Sequence, residues 1–172
     1  MLPLIDFDEM AAIMGLEKTD ISDYPALEAL QRSVYAALEE HTGRTFERGE
    51  YSESVYVDGH IVSLPALPVV SVKTVQSAAG VDLPFEIMPD GIRLRGWHRG
   101  YVSVTYTGGF DRAPENLRRA ALLQTMHEFQ RKDHIGAESV STDGGFARWP
   151  QLKLLDEVKA CVSRLVHPAR FA

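Results

Sequence analysis

The hydrophobic pattern of this chain changes period twice, and that change limits the folds it can adopt. From residue 26 to residue 46, apolar side chains recur every three or four positions, as on one side of a helix. From Tyr51 to Thr107, apolar and polar residues largely alternate, which is typical of half-buried strands. Helical spacing returns after Pro114. This order predicts an α+β fold in which a small helical bundle carries an inserted antiparallel β subdomain.

Turn-forming residues divide the alternating segment. Asp58-Gly59 lies between two alternating runs and predicts a hairpin turn, because both turn residues need positive φ. Pro89-Asp90-Gly91 and the stretch from Gly96 to Gly100 predict two further turns. The two prolines of Leu64–Pro68 exclude a central strand there, since neither has a backbone donor. We therefore predict roughly five or six short strands.

Capping residues set the predicted helix boundaries. A short helix covers Asp8–Leu16, and a longer one covers Pro25–Gly43, where the glycine allows a left-handed C-terminal turn. A third helix runs from Pro114 to about Lys132, and a fourth resumes at Pro150 after an exposed arm over 134–149. We expect one domain, 1–172, with these parts: a helical core of about 8–46 and 114–166, a β insertion of about 47–107 and a C-terminal tail, 167–172.

The long helix has two different faces. Its bulky apolar side chains suit the chain's own core, whereas a second stripe of small side chains suits close contact with a neighbouring subunit. The bulky stripe consists of Leu27, Leu30, Val34 and Leu38. The small residues that we assign to a subunit interface are Ala29, Ser33, Ala36 and Ala37.

Arg118 and Arg119 fall in the first turn of the third helix, where the helix dipole disfavours positive charge. A carboxylate elsewhere, on this chain or on another one, would offset that repulsion. We therefore assign both arginines to the subunit interface as well.

Charge and composition limit the functions to be considered. The chain carries 18 Lys and Arg against 24 Asp and Glu, so non-specific nucleic-acid binding by the whole chain is not expected. Cys161 is the single cysteine, which excludes an internal disulfide, and its apolar helical neighbours predict a packed small side chain. The first residues do not resemble a signal peptide, and no apolar run approaches the ~20 residues of a membrane span. We expect synthesis in the cytoplasm.

The sequence contains no pattern typical of a catalytic or cofactor site. His134 comes too late after His127-Glu128 for the zinc-protease helix signature, although the two histidines can share one helical face. The glycine pairs Gly108-Gly109 and Gly144-Gly145 lack the lysine and the spacing of a phosphate-binding loop. We predict no catalytic, cofactor-binding or metal-binding residues, and a hydrolase that uses the two histidines stays an alternative.

One cluster of side chains could contact nucleic acid. Arg93, Arg95 and Arg99 flank Trp97, and single-stranded nucleic-acid binders combine cations and aromatic rings in this way. The same residues also fit the charged outer face of an ordinary hairpin. A small nucleic-acid-binding module is therefore a second alternative function.

Three stretches, in their order and spacing, resemble the head-to-tail connector (adaptor) proteins of tailed bacteriophages and related prophage or gene-transfer particles. The resemblance runs from about Asp8 to Lys132. Its stretches are the helix end Leu38–Phe46, the proline-valine step Leu64–Val72, and the strand-to-helix junction Val102–Phe110 with Pro114, Leu117 and Ala120-Ala121.

The resemblance implies a non-enzymatic virion protein that forms a ring, typically of twelve copies, beneath the portal. Such a ring extends the channel through which genomic DNA passes and docks the next neck or tail component. A head-completion stopper or a tail-terminator ring is the alternative within the same class. By analogy the C-terminal tail contacts the portal or the neck, where an arginine and an aromatic side chain are typical anchors. A frayed end without a role is the other interpretation. We assign this docking to Leu165, His167, Arg170 and Phe171.

Overall fold

The computed structural model describes residues 7–15, 24–88, 90–130 and 152–167. Within these ranges the chain forms helices and an antiparallel sheet, so the predicted α+β class is confirmed. The helices are α1 (Phe7–Met14), α2 (Tyr24–Thr42), α3 (Glu115–Gln130) and α4 (Asp156–Val162), followed by a 3-10 turn, Ser163–Leu165. The strands are β1 (Gly49–Val62), β2 (Val69–Ser77), β3 (Phe85–Met88) and β4 (Gly91–Gly108).

β4 is the central strand of the sheet. It pairs with β1 along one edge and with β2 and β3 along the other, in the order β1-β4-β2. The prediction of five or six short strands is wrong, because β1 has 14 residues and β4 has 18. The pairing of β1 with β4 includes Val57–Gly59 and His98–Gly100, so both strands continue through residues that would otherwise favour a turn.

The predicted hairpin at Asp58-Gly59 is also wrong. Asp58 lies opposite Arg99 and Gly59 opposite His98, so β1 continues along β4 instead of turning. Gly59 has φ +135, and the register shifts between Gly59 and Ile61. Gly59 therefore allows a local irregularity within the strand, since a positive φ is needed there just as it is in a turn.

The predicted turn at 96–100 is also wrong, because β4 continues through these residues. Gly100 has φ +138 and still pairs with Val57 of β1. In contrast, the predicted turn after β3 is consistent with the register, in which Met88 lies opposite Gly91.

The described chain divides into two compact units, which we call the sheet unit (42–88, 90–113 and 165–167) and the helical unit (7–15, 24–41, 114–130 and 152–164). The sheet unit has a continuous apolar core in which the Tyr106 hydroxyl accepts a hydrogen bond of 3.1 Å from the Ala66 backbone. Burial raises the pKa of Tyr106 to about 12. The buried core residues are Val57, Val62, Leu64, Ala66, Leu67, Val75, Ile92, Leu94, Val102, Val104 and Tyr106.

The double glycine at the end of β4 is required by close backbone approach. A Cβ at Gly108 would collide with the Ala66 carbonyl oxygen, and one at Gly109 with the Glu47 carbonyl oxygen. Gly109 also has φ +95, which side chains disfavour. The chain thus leaves the sheet at the position where the sequence predicts that the strand ends.

In the helical unit, the fully buried side chain of Gln124 on α3 joins α3 to the segment before α4. Its amide nitrogen donates to the Lys153 carbonyl at 3.2 Å and to Glu128 at 2.9 Å, and its oxygen accepts from the Leu155 backbone at 2.9 Å. The fourth helix was predicted to include 152–155, and this is wrong. Those residues are not helical, and the helix begins at Asp156. Pro150 and the predicted arm over 134–149 lie outside the described residues.

Candidate interaction surfaces

The two predicted faces of α2 are present. Leu27, Val34 and Leu38 are buried, whereas Ala29, Ser33 and Ala36 are exposed and Ala37 is half-buried. The Ser33 hydroxyl donates to the Ala29 carbonyl at 3.0 Å within the helix. The exposed face therefore offers short side chains whose one hydroxyl is already hydrogen-bonded. A contact between subunits on this face stays a prediction.

Arg118 is paired within its own chain. Its guanidinium lies 2.6 Å from the Glu9 carboxylate on α1 and 3.6 Å from Glu115. The unfavourable position of Arg118 in the first turn of α3 is thus offset without another subunit. Arg119 is exposed beside it, and its interface role stays a prediction.

The arginine cluster on β4 is exposed. Arg95 lies 3.5 Å from Glu86 and Arg99 lies 3.7 Å from Asp58, with all four side chains more than half exposed. Such exposed pairs contribute little stability, and Arg93 adds a further positive charge. The cluster lies on a long strand of the sheet and not on a separate hairpin.

Two aromatic residues that were not predicted from the sequence lie on the same part of the sheet. Tyr56 on β1 and Tyr101 on β4 are cross-strand partners whose rings meet edge to face at 5.5 Å. They are 54% and 57% exposed, and the neighbouring Trp97 is 61% exposed. The available signal was the alternation of Trp97, Arg99 and Tyr101 along β4, which the wrongly predicted turn obscured.

Of the residues assigned to docking, the structure describes Leu165 and His167, while Arg170 and Phe171 lie outside the described residues. His167 is only 9% exposed, and its backbone N–H donates to the Thr42 carbonyl at 2.7 Å. Burial first, and then the Arg44 charge, lower the pKa of His167. His167 therefore anchors the chain to the sheet unit, and its docking role stays a prediction.

The remaining histidine hypothesis involves His127, which is half-buried near the end of α3, and His134, which lies outside the described residues. Within the described ranges, no group of three or more His, Cys, Asp or Glu side chains is placed to hold a metal ion. In the same ranges, no helix has the length and apolar character that a membrane span requires.

Comparison with known proteins adds the fold relationship. Neither a protein-family model nor a curated protein matches this sequence. A chain from the neck of an empty gene transfer agent (GTA) particle, computed with C6 symmetry, is 21% identical with a TM-score of 0.61, and the match covers 96% of this chain and 89% of that chain. A chain from the virion of a native GTA particle is also 21% identical with a TM-score of 0.61, with coverage of 97% and 92%.

The chain shares its fold with chains of GTA necks. A further match, from the neck of a native GTA particle computed with C12 symmetry, is 22% identical with a TM-score of 0.52 and covers 83% of this chain and 82% of that chain. The resemblance predicted from the sequence is thereby confirmed at the level of the fold, over nearly the whole length of the chain.

Proposed function

We propose that this protein is a structural subunit of a virion neck. In this proposal it is a head-to-tail adaptor that forms a ring of twelve copies beneath the portal, extends the DNA channel and docks the next neck or tail component. It makes no chemical change to a substrate. The observation that carries the proposal is the GTA neck fold, which matches 96% of this chain and 89% of the neck chain.

The symmetry of the related particles supports a ring. The two neck structures were computed with C6 and C12 symmetry, and twelve copies are compatible with both. A subunit of a closed ring needs two different lateral surfaces, since head-to-tail contacts are heterologous. The exposed small residues of α2 and the exposed aromatic side chains of the sheet provide two such different surfaces.

The chemistry of the surface suits passage of DNA without binding. The chain carries a net charge of −6, so it lacks the excess of Lys and Arg that retains phosphate backbones. A surface with this excess of acidic groups allows a polyanion to move past it.

One of the four docking residues assigned from the sequence has a different role in this proposal. Leu165, Arg170 and Phe171 contact the portal or the next neck component, and buried His167 holds the start of the tail in place. The chain acts as one adaptor domain whose helical core and β insertion assemble together in the ring.

The mass of the purified full chain at high protein concentration tests this proposal. A closed ring has a mass near twelve times the 19.1 kDa chain. A protein that stays monomeric at every concentration, or that turns over a small molecule, contradicts it. An image of the particle then separates an adaptor, directly beneath the portal, from a stopper or terminator nearer the tail.

A further inference from the structure

Three exposed aromatic side chains lie along one part of the sheet: the paired Tyr56 and Tyr101, whose rings are in contact, and Trp97, four residues before Tyr101 on β4. Each is more than half exposed, and Arg99 lies between Trp97 and Tyr101 along β4. We call these four residues the aromatic–arginine patch. Single exposed apolar residues are common, but tyrosine, tryptophan and arginine grouped together are the residue types that dominate protein–protein contacts.

The charge around the patch differs from that of the rest of the chain. Residues 91–101 contain three arginines and no carboxylate. Because the whole chain has 18 basic and 24 acidic side chains, the remainder has 15 basic and 24 acidic ones. Glu86 and Asp58 lie across the strands from Arg95 and Arg99, so this part of the sheet keeps an excess of one positive charge, which is complementary to the acidic remainder of another copy.

The exposed face of α2 has the matching shape and charge. Ala29, Ser33 and Ala36 leave room for aromatic rings, and Glu28 and Glu40 are exposed at the two ends of this face. Arg32 is the one exposed basic residue described among them. We call this surface the α2 face. Short side chains beside carboxylates can receive rings and a guanidinium together.

We propose that the aromatic–arginine patch of one copy docks on the α2 face of a second copy. Trp97 and Tyr101 pack over Ala29, Ser33 and Ala36, and Arg99 pairs with Glu40. The contact joins two different surfaces, so each copy offers one of them to each neighbour, and repetition can close a ring. This inference rests on the proposed ring function and names the surfaces that join its subunits.

Charge reversal tests the contact. Arg99→Glu places a carboxylate against Glu40 and is expected to weaken association of the full chain at least tenfold, as measured by mass against protein concentration. Because every copy carries both surfaces, the double variant Arg99→Glu with Glu40→Arg is expected to recover most of that loss. Arg112→Glu is the matched control, since Arg112 is exposed in the same unit outside the patch. Its association constant is expected to change less than twofold.

Cross-linking tests the same contact without changing the patch. In a Cys161→Ala background, one protein carries Ala36→Cys and a second carries Ser103→Cys, which is exposed two residues from Tyr101. A short bis-maleimide is expected to give dimers in the mixture and few in either protein alone. Trp97→Ala in the Ser103→Cys partner is expected to reduce this yield severalfold.

The outcomes separate the two proposals. If the unaltered protein forms rings but neither charge reversal nor cross-linking shows an effect, the patch is not the ring contact and the ring function stands. A protein that stays monomeric at every concentration overturns both proposals. If Trp97→Ala and Arg99→Glu abolish retention on a single-stranded oligonucleotide and leave the rings intact, the patch is a nucleic-acid surface and the docking proposal is wrong.

Discussion

The sheet unit and the helical unit both bury apolar side chains, among them Leu27, Leu38 and Leu117 in the helical unit, but they bury different polar groups. The core of the sheet unit is almost wholly apolar, and Tyr106 directs its one hydroxyl to the Ala66 backbone. In the helical unit, small side chains such as Ala120 and Ala121 are buried near the hydrogen-bonded amide of Gln124. The comparison teaches that a lost apolar side chain should cost stability in the sheet core, whereas in the helical unit the loss of one buried amide should cost stability as well.

The largest effect is expected from a cavity in the sheet core. Ile92→Ala removes a fully buried side chain of β4 and should lower the free energy of unfolding by about 2–5 kcal/mol, measured by urea denaturation. Ile87, its cross-strand partner on β3, is 49% exposed and is the matched control. Ile87→Ala should change stability by about 0.5 kcal/mol or less. Equal effects of the two substitutions would contradict the assigned core.

The corresponding change in the helical unit keeps the volume of the side chain but removes its hydrogen bonds. Gln124→Leu leaves the Lys153 carbonyl and the Leu155 N–H without their partner, at an expected loss of about 1–3 kcal/mol. Gln130→Leu, at the exposed end of α3, is the control and should be nearly neutral. If Gln124→Leu stabilises the protein, apolar packing also dominates the helical unit and the contrast between units fails.

Acid should weaken the anchor at His167. Its lowered pKa means that the folded state binds a proton less readily than the unfolded chain does. The resulting stability is fully present above the usual histidine pKa of about 6.5 and is lost as the pH falls below it. The free energy of unfolding should therefore fall more between pH 8 and pH 5.5 in the unaltered protein than in His167→Gln. Parallel pH profiles of the two proteins would mean that His167 does not contribute to the pH dependence of stability.

The smallest expected effect concerns the ion pair between α1 and α3. A double-mutant cycle of Glu9→Gln and Arg118→Met should give a coupling of about 0.2–1 kcal/mol, because both side chains are partly exposed. The coupling should shrink as salt is raised from low to physiological concentration. A coupling well above this range, unaffected by salt, would show that the pair is more buried than the structure indicates.

Local patterns predicted the helices better than the strands. The apolar stripe and Gly43, with φ +64, correctly defined the end of α2, because helix termini depend on nearby residues. Asp58-Gly59 and Gly100 gave a wrong count of strands, because a positive φ serves irregular positions within strands as well as turns. Which of the two occurs depends on pairing with β4, which is distant in sequence.

The candidate surfaces also divide into those that depend on nearby residues and those that depend on residues distant in sequence. The exposed stripe of Ala29, Ser33 and Ala36 follows from helical spacing alone, and the structure places it on the solvent side of α2. The pairing of Tyr56 with Tyr101 requires the β1–β4 register, which joins residues 45 positions apart. The partner of Arg118 was equally unpredictable, since Glu9 lies 109 positions away.

Electron cryo-microscopy of the particles made by cells that produce this chain tests the central claim most directly. The account predicts density for a closed ring of copies between the portal and the tail, into which this fold can be placed. Particles with a complete neck that contains no copy of the chain would contradict it.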